Sequence, residues 1–417
     1  MNWIYNMTFR PLLLILLSAV LLCSCDDDGV ELSESDVPYS GLPQMSISTP
    51  GGTEVKRQYV EHSQLAVSHG GDLAAMAGEI MIKGRGNTSW IFPKKPYSIR
   101  LTGGRPTTAE ADTSWVLLAN YEDKSLMRNE VAFFMGRELS RLDYTPQSHA
   151  VDFALNGRYQ GIYLLCQAVS VGAGRVDVGD DGLLIEVDGK ARYHETIFNT
   201  SRLTHPFTIH HPEVREGDAR YEAIKAKVQA AEDALFSDHF RDAATGYRRH
   251  IDMESMVEWY LVNEIAKNAD AAFYTSCFMH ARRDGLLTMG PLWDFGSGFG
   301  GYKDNDFGRE TANVAEGFYI RRTKWMGRLF DDPDFVALVK RRFDHYYAHQ
   351  SLIYDHIDQT CAALVDKVYY DNLLWGQLKD RSSSEEEVRR AYREEADYLK
   401  DWIERRMHWL KSELDKM

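Results

Sequence analysis

"GPLWDFGSGFG", residues 290–300, sets one carboxylate, Asp294, between two aromatic side chains and follows it with Gly296, Gly298 and Gly300. Trp293 and Phe295 favour burial, Asp294 favours water or a charged partner, and the glycines make the backbone permissive. A strand-end turn capped by an aspartate would read this way, because Asp and Gly are ordinary turn residues. A loop that presents a carboxylate to a metal would read the same way. The residues upstream bear on the choice.

The segment "YTSCFMHARRDGLLTMGPLWDFG" predicts a hairpin turning at Asp284-Gly285. Asp270, in "NEIAKNADAAF", lies just past a predicted helix and before the first strand, and Asp294 lies just after the second. Acid, short hairpin, acid is the order in which protein kinases carry a catalytic-loop aspartate and a metal-binding aspartate. Magnesium needs hard oxygen ligands, commonly one or two carboxylates plus substrate phosphates. A second carboxylate must then stand near the acceptor hydroxyl, and two loops at one end of a hairpin can hold both. On this reading the glycines after Asp294 let the chain leave without crowding a nucleotide.

Residues 45–168 read mainly as strands. Ile80 and Ile82 alternate with polar neighbours in "EIMIKGRGNTSW", and Tyr97, Ile99 and Leu101 do so in "KKPYSIRL". Leu126, Val131, Phe134 and Leu139 recur at helical intervals, with Asp123 or Ser125 placed to cap the start. Asn156-Gly157 between two apolar runs predicts a hairpin. Beyond Val169 helical patterns dominate: "YEAIKAKVQAAEDALF", "MESMVEWYLVNEIAKN" and most of residues 315–417. The last helix, from about Glu385, puts Leu399, Ile403, Leu410 and Leu414 on one face, with Trp402 and Trp409 beside it. Glu186 and Asp188 in "LLIEVDGK" alternate as on the wet face of a strand, and Arg128 reads as a surface i,i+4 partner on a helix, with orienting a phosphate or an acid as the alternative.

The order of a β-rich part with one helix, a strand hairpin and a helical part matches that of a protein kinase. "CQAV", residues 166–169, then falls where a hinge would read adenine through backbone groups. The usual signatures are missing: no His-Arg-Asp precedes Asp270, and "KGRGN" is not a six-residue glycine loop.

At the N-terminus, Arg10 precedes "PLLLILLSAVLL", an apolar run suited to a signal peptide and too short for a membrane span. It ends in "LCSC", which resembles a bacterial lipobox with Cys25 as the lipidated residue; secretion with cleavage nearby is the plainer alternative. "DDDG" follows and resembles a signal for export to the outer face of the cell, or else a solvated linker. Cys166, Cys277 and Cys361 imply no disulfide framework. A net charge of −14 argues against a nucleic-acid partner and requires any phosphate ligand to meet a local basic patch.

The chain resembles the spore coat protein H (CotH) kinase family from about Leu42 to the C-terminus. The resemblance is carried in order by "GEIMIKGRGNTSW", "PKKPYSIRL", "WVLLANYEDKSLMRN", "LNGRYQGIYLL", "LLIEVDG", "NEIAKNADA" and "GPLWDFGSGFG". It implies an atypical protein kinase that moves phosphate from ATP to Ser or Thr of a protein with Mg²⁺ or Mn²⁺. Asp270 matches the family's catalytic acid and Asp294 its metal-binding acid. Arg85 and Lys95 are the phosphate candidates, with solvated strand charges as the alternative, and Gln167 is the adenine-hinge candidate. Where the family pattern leads one to expect an acidic segment after "YLL", this chain has Cys166, Gln167 and Ala168.

The expected architecture is α+β, a divergent protein-kinase-like two-lobed fold. Residues 1–24 form a lipoprotein signal peptide, 25–41 an acidic flexible linker, 42–168 a β-rich N-lobe and 169–417 a helical C-lobe with the embedded hairpin. The expected partners are a protein substrate and a lipid anchor to the membrane, with no nucleic acid, and the expected place is the outer membrane, exposed at the cell surface. The competing functions are a non-catalytic surface adhesin or binding lipoprotein on a degenerate kinase fold, and, last, a carbohydrate-active enzyme.

Overall fold

A computed structural model describes residues 30–39, 41–102, 113–172, 174–192, 194–301 and 313–417. The signal-peptide stretch, Cys25 and the acidic run that follows it lie outside the described residues.

Strands β1 (Gln44–Ser48), β2 (Val60–Ser68), β3 (Gly78–Gly84), β4 (Tyr97–Leu101), β5 (Ser114–Leu118), β6 (Ser148–Leu155) and β7 (Arg158–Gln167) close into a barrel of order β1-β2-β3-β4-β5-β7-β6. Alternation decides which side chains fill it. Ile80, Ile82, Ile99, Leu117, Tyr163 and Leu165 point inward, while Val116, Ile162, Leu164 and Cys166 point outward into a second, larger core. β7 is thus buried on both faces, which explains its unbroken apolar run. Asn156 (φ 51°) and Gly157 (φ 77°) form the expected two-residue turn between β6 and β7.

Helix α1 (Arg128–Phe134), continued as a π-helical turn through Leu139, contributes to that second core. The rest of the larger core is a five-stranded antiparallel sheet surrounded by helices. Strands β8 (Leu183–Val187), β9 (Ile197–Phe198), β10 (Phe207–His211), β11 (Cys277–Ala281) and β12 (Thr288–Met289) follow the order β12-β11-β8-β10-β9. The helices are α2 (Ala219–Phe236), α3 (Met253–Ala266), α4 (Lys324–Leu329), α5 (Pro333–Ala348), α6 (Gln350–Leu364), α7 (Val368–Trp375) and α8 (Glu385–Asp415). α8 starts where the sequence predicts, in a capping box made by Ser384 and Glu387. Leu399, Ile403, Leu410 and Leu414 are buried along one face, with Trp402.

The α+β class holds, but the protein-kinase-like two-lobed architecture does not. The N-terminal sheet is a closed mixed barrel, sealed by parallel pairing of β1 with β6, Gln44 opposite Asp152. The C-terminal part is not a helical lobe with one hairpin. Its hairpin β11–β12 is the edge of a sheet in which β11 pairs with β8, Cys277 opposite Val187. Both pairings join residues about a hundred positions apart, which local periodicity cannot display. The end of the expected linker also packs: Val37 is buried with Tyr159 and Leu374, and Glu31 meets Arg158 at 2.7 Å.

Candidate functional site

α3 is the element from which the site is built. Asp252 caps its N-terminus by accepting the Ser255 N–H at 2.7 Å, and nearly every side chain along it is buried. It stops at Lys267, which takes a left-handed conformation (φ 50°) and turns the chain out toward Asp270. Arg406 of α8, fully buried, clamps this end by donating to the Glu264 carbonyl at 2.7 Å and to its carboxylate at 2.7 Å.

The hairpin then returns the chain to the same place. Asn268 Nδ2 donates to the carbonyl of Asp294 at 3.0 Å, and Asn129 Oδ1 on α1 accepts the N–H of Phe295 at 2.7 Å. Both polar ends of one peptide group are therefore held, which supports the left-handed φ of 62° at Asp294. Lys267, Phe273, Ser276 and Phe299 also have positive φ, so five non-glycine left-handed residues gather on these two loops. The glycines have a packing role. Gly300 (φ 72°) lies against α8, where a Cβ would come within 2.5 Å of Trp402 Nε1.

Asp270 and Asp294 lie close enough to feel each other's charge. Burial, then the charge of Asp270, pushes the Asp294 carboxyl up to about 6, while Lys190 and Arg85 pull it down and Glu186 adds to the rise. The Asp294 side chain is still open to solvent. Protein that surrounds a residue while one side stays wet forms a cleft, not a sealed cavity. Arg85, at the end of β3, stacks its guanidinium 5.4 Å from the Trp293 ring centroid. Burial pushes its pKa down, against the opposite pull of Cys166, Asp294 and Glu186.

Glu186 and Asp188 are not on a wet face. Both are buried, and both brace the Asp270 loop: Glu186 accepts the Ser276 N–H at 2.8 Å, and Asp188 accepts the Thr275 hydroxyl at 3.1 Å. Asp188 also accepts the Lys190 N–H at 2.8 Å, which fixes the second cation near Asp294. The other carboxylate oxygen of Glu186 meets His210 Nε2 at 2.8 Å. Arg128 is likewise no surface residue, being buried and ion-paired with Asp123. The signal for Glu186 was acid within "LLIEV", a run otherwise apolar enough to be a central strand. Asn129 and Asn268 carried no signal of their own.

The other two sequence candidates have different surroundings. Lys95 donates to the Trp90 carbonyl at 2.9 Å and lies 5.4 Å from the Trp90 ring centroid. Its neighbour Lys94 is fully buried against Asp371 at 2.6 Å. Gln167, at the end of β7, accepts from the Tyr144 hydroxyl at 3.1 Å and from the Gln147 N–H at 3.0 Å, and its own N–H donates to the Gln147 carbonyl. Cys166 beside it is buried, which pushes its thiol up to about 12.

Among the described residues no group of three or more His, Cys, Asp or Glu side chains is placed to hold a metal by itself. Two neighbouring carboxylates fit a hard divalent cation that takes its remaining oxygens from phosphates and water. Two acids in a wet cleft, two cations beside them and loops braced from α1, α3 and β8 suit binding and reaction of a phosphate ester.

The family description "CotH kinase protein" matches residues 82–410. The chain belongs to the CotH kinase protein family. That match takes in Arg85, Lys95, Gln167, Asp270 and Asp294. Among curated proteins, the chain is 23% identical over 266 residues to the inner spore coat protein H of Bacillus subtilis (strain 168), covering 63% of this chain and 69% of that protein. Among the described residues no helix is long and apolar enough to cross a membrane.

Proposed function

We propose that this CotH kinase family member transfers the terminal phosphoryl group of ATP to a Ser or Thr hydroxyl of a protein, with Mg²⁺ or Mn²⁺, at the bacterial cell surface. The observation that carries the reading is the bracing of the Asp270 and Asp294 loops against each other, which sets the two acids side by side with Arg85 and Lys190 next to them. Two carboxylates held together against their repulsion are poised to gain a cation. Asp294 would hold the cation, which would supply charge neutralisation at the phosphates. Arg85 and Lys190 contact phosphate oxygens, Arg85 with its plane fixed on Trp293. Asp270 orients the acceptor hydroxyl and takes its proton as the oxygen attacks phosphorus and the bond to ADP breaks.

The surface placement rests on the lipobox at Cys25. The relative is by name an inner spore coat protein, which agrees with a surface- or coat-associated protein. Calorimetric titration of the full chain with ATP, with and without Mg²⁺ or Mn²⁺, tests the reading. Cation-dependent binding supports it, and no binding in either condition rejects it.

A further inference from the structure

The outer face of the barrel carries cations that the cleft does not use. Ile80 and Ile82 of β3 and Ile99 and Leu101 of β4 fill the barrel. With Lys83 opposite Ser98 and Met81 opposite Arg100, alternation puts Lys83 and Arg100 together on the outer face. Both lie on one ring: Lys83 Nζ is 4.5 Å and Arg100 Cζ 5.6 Å from the centroid of Tyr59. Arg57 Cζ is 5.0 Å from the centroid of Trp90, and Arg192 Nη2 donates to Asn87 Oδ1 at 2.8 Å in the loop after Arg85. Arg85 itself ends the row at Asp294.

These side chains sense one another as like charges. Behind burial, Arg100, Arg192, Arg85 and Arg57 all push the pKa of Lys83 down, and Arg192 and Arg85 do so to Arg57. Among the described residues Arg57, Lys83, Arg85, Arg100 and Arg192 make no ion pair with an acid. A chain of net charge −14 has acids to spare, so a row of Arg57, Lys83, Arg100 and Arg192 without an ion pair among the described residues is a feature that a negative partner would satisfy. Lys83 and Arg100 lie on the adjacent strands β3 and β4, with Arg85 just past the end of β3, and a line of cations along two strands suits an extended peptide.

We propose that the row of Arg100, Lys83, Arg57 and Arg192, which leads up to the phosphate-site Arg85, binds acidic residues of the acceptor protein, so that the acceptor class is a Ser or Thr followed or preceded by Glu or Asp. The proposal rests on the kinase reading of the cleft for the hydroxyl, and on the row alone for the acidic flank.

The test is fluorescence anisotropy of the full chain in neutral detergent, at low and moderate salt. The probes are a labelled decapeptide with one Ser among alternating Glu residues and its Lys counterpart. The wild type should bind the Glu peptide and not the Lys peptide. The double variant Lys83→Glu/Arg100→Glu should lose about tenfold or more in affinity, and the milder Lys83→Gln/Arg100→Gln less. Equal Glu-peptide binding by wild type and both variants overturns the proposal. So does binding of phosphatidylglycerol vesicles or duplex DNA without binding of the Glu peptide. Mg-ATP titrated into the same proteins reads the cleft separately. Unchanged nucleotide affinity in the variants shows that only the row was altered, whereas failure of the wild type to bind Mg-ATP rejects the kinase reading and leaves the peptide result to stand alone.

Discussion

Asn268 and Asn129 hold opposite ends of a single peptide group, that between Asp294 and Phe295, from the end of α3 and from α1 respectively. Asn129 is itself fixed by donating to Asn120 Oδ1 at 3.1 Å, and Asn268 by donating to Asn263 Oδ1 at 3.2 Å. The position of the Asp294 carboxylate therefore depends on two amide side chains that never touch it. Asn268→Ala should leave a partly buried carbonyl without its donor and cost about 1–3 kcal/mol, read by chemical denaturation. Phosphoryl transfer should fall by roughly 10²-fold, the scale of a misplacement near 1 Å. Unchanged turnover in a stably folded variant would show that the tie does not position Asp294.

The pH dependence of stability follows from Asp294. Its carboxyl titrates near 3.8 when unfolded and near 6 in the fold. Between these values the native state holds a proton that the unfolded chain has released. Stability from this group is thus present at low pH and is lost as pH rises through about 6. Because the group is solvent-open, the screened effect is on the order of 1 kcal/mol. In EDTA, Asp294→Asn should melt within error of wild type near pH 4 and about 1–3 °C higher near pH 7.5. A variant less stable than wild type at the higher pH would contradict the electrostatic picture.

Arg85 differs from an ordinary surface cation in being stacked on Trp293. Arg85→Lys keeps the charge but loses the planar fork and the stacking, so it should recover only part of the nucleotide affinity lost in Arg85→Ala. A loss of roughly tenfold for Lys and more for Ala is expected by calorimetry, with the fold intact by circular dichroism. Equal affinities in all three proteins would remove Arg85 from the phosphate site.

The barrel is fastened to α7 by Lys94 and Asp371. Asp371 accepts from Lys94 Nζ at 2.6 Å and from the Ile162 N–H at 2.8 Å, and Lys94 also donates to the Ile162 carbonyl at 2.7 Å. Removing one partner leaves a buried charge unpaired, so Asp371→Ala should cost about 3–5 kcal/mol. Gly161→Ala should act on the same fastening, since a Cβ there would lie 2.1 Å from Asp371 Oδ1 at a φ of 99°. Urea titration distinguishes both from Asp371→Glu, and a loss under 1 kcal/mol in Asp371→Ala would show that α7 is held by apolar contacts alone.

Much of this was legible locally. The two-residue hairpin at Asn156-Gly157, the capping box of α8 and the placing of Asp270 and Asp294 on either side of a hairpin follow from turn chemistry and period. Barrel closure was not, because the β1–β6 pairing depends on residues that are neighbours only in space. Charge was misleading in the same way. Arg128 and Glu186 read as surface residues because Arg and Glu usually are, and their burial depends on partners, Asp123 and His210 with Ser276, found only after folding. The loop glycines were assigned to the ligand, whereas Gly300 is required by Trp402.

The most direct test of the cleft as a kinase site is calorimetric titration of ATP with Mg²⁺ into wild type, Asp294→Asn and Asp270→Asn, paired with transfer rates on one protein substrate. Asp294→Asn should lose cation-dependent affinity and turnover together, because a charged oxygen ligand is gone. Asp270→Asn should bind nucleotide nearly as wild type and lose only turnover, by about 10² to 10⁴, as for a missing general base. If both folded variants bind Mg-ATP as tightly as wild type and turn over as fast, the two aspartates are a braced turn and the proposed chemistry is wrong.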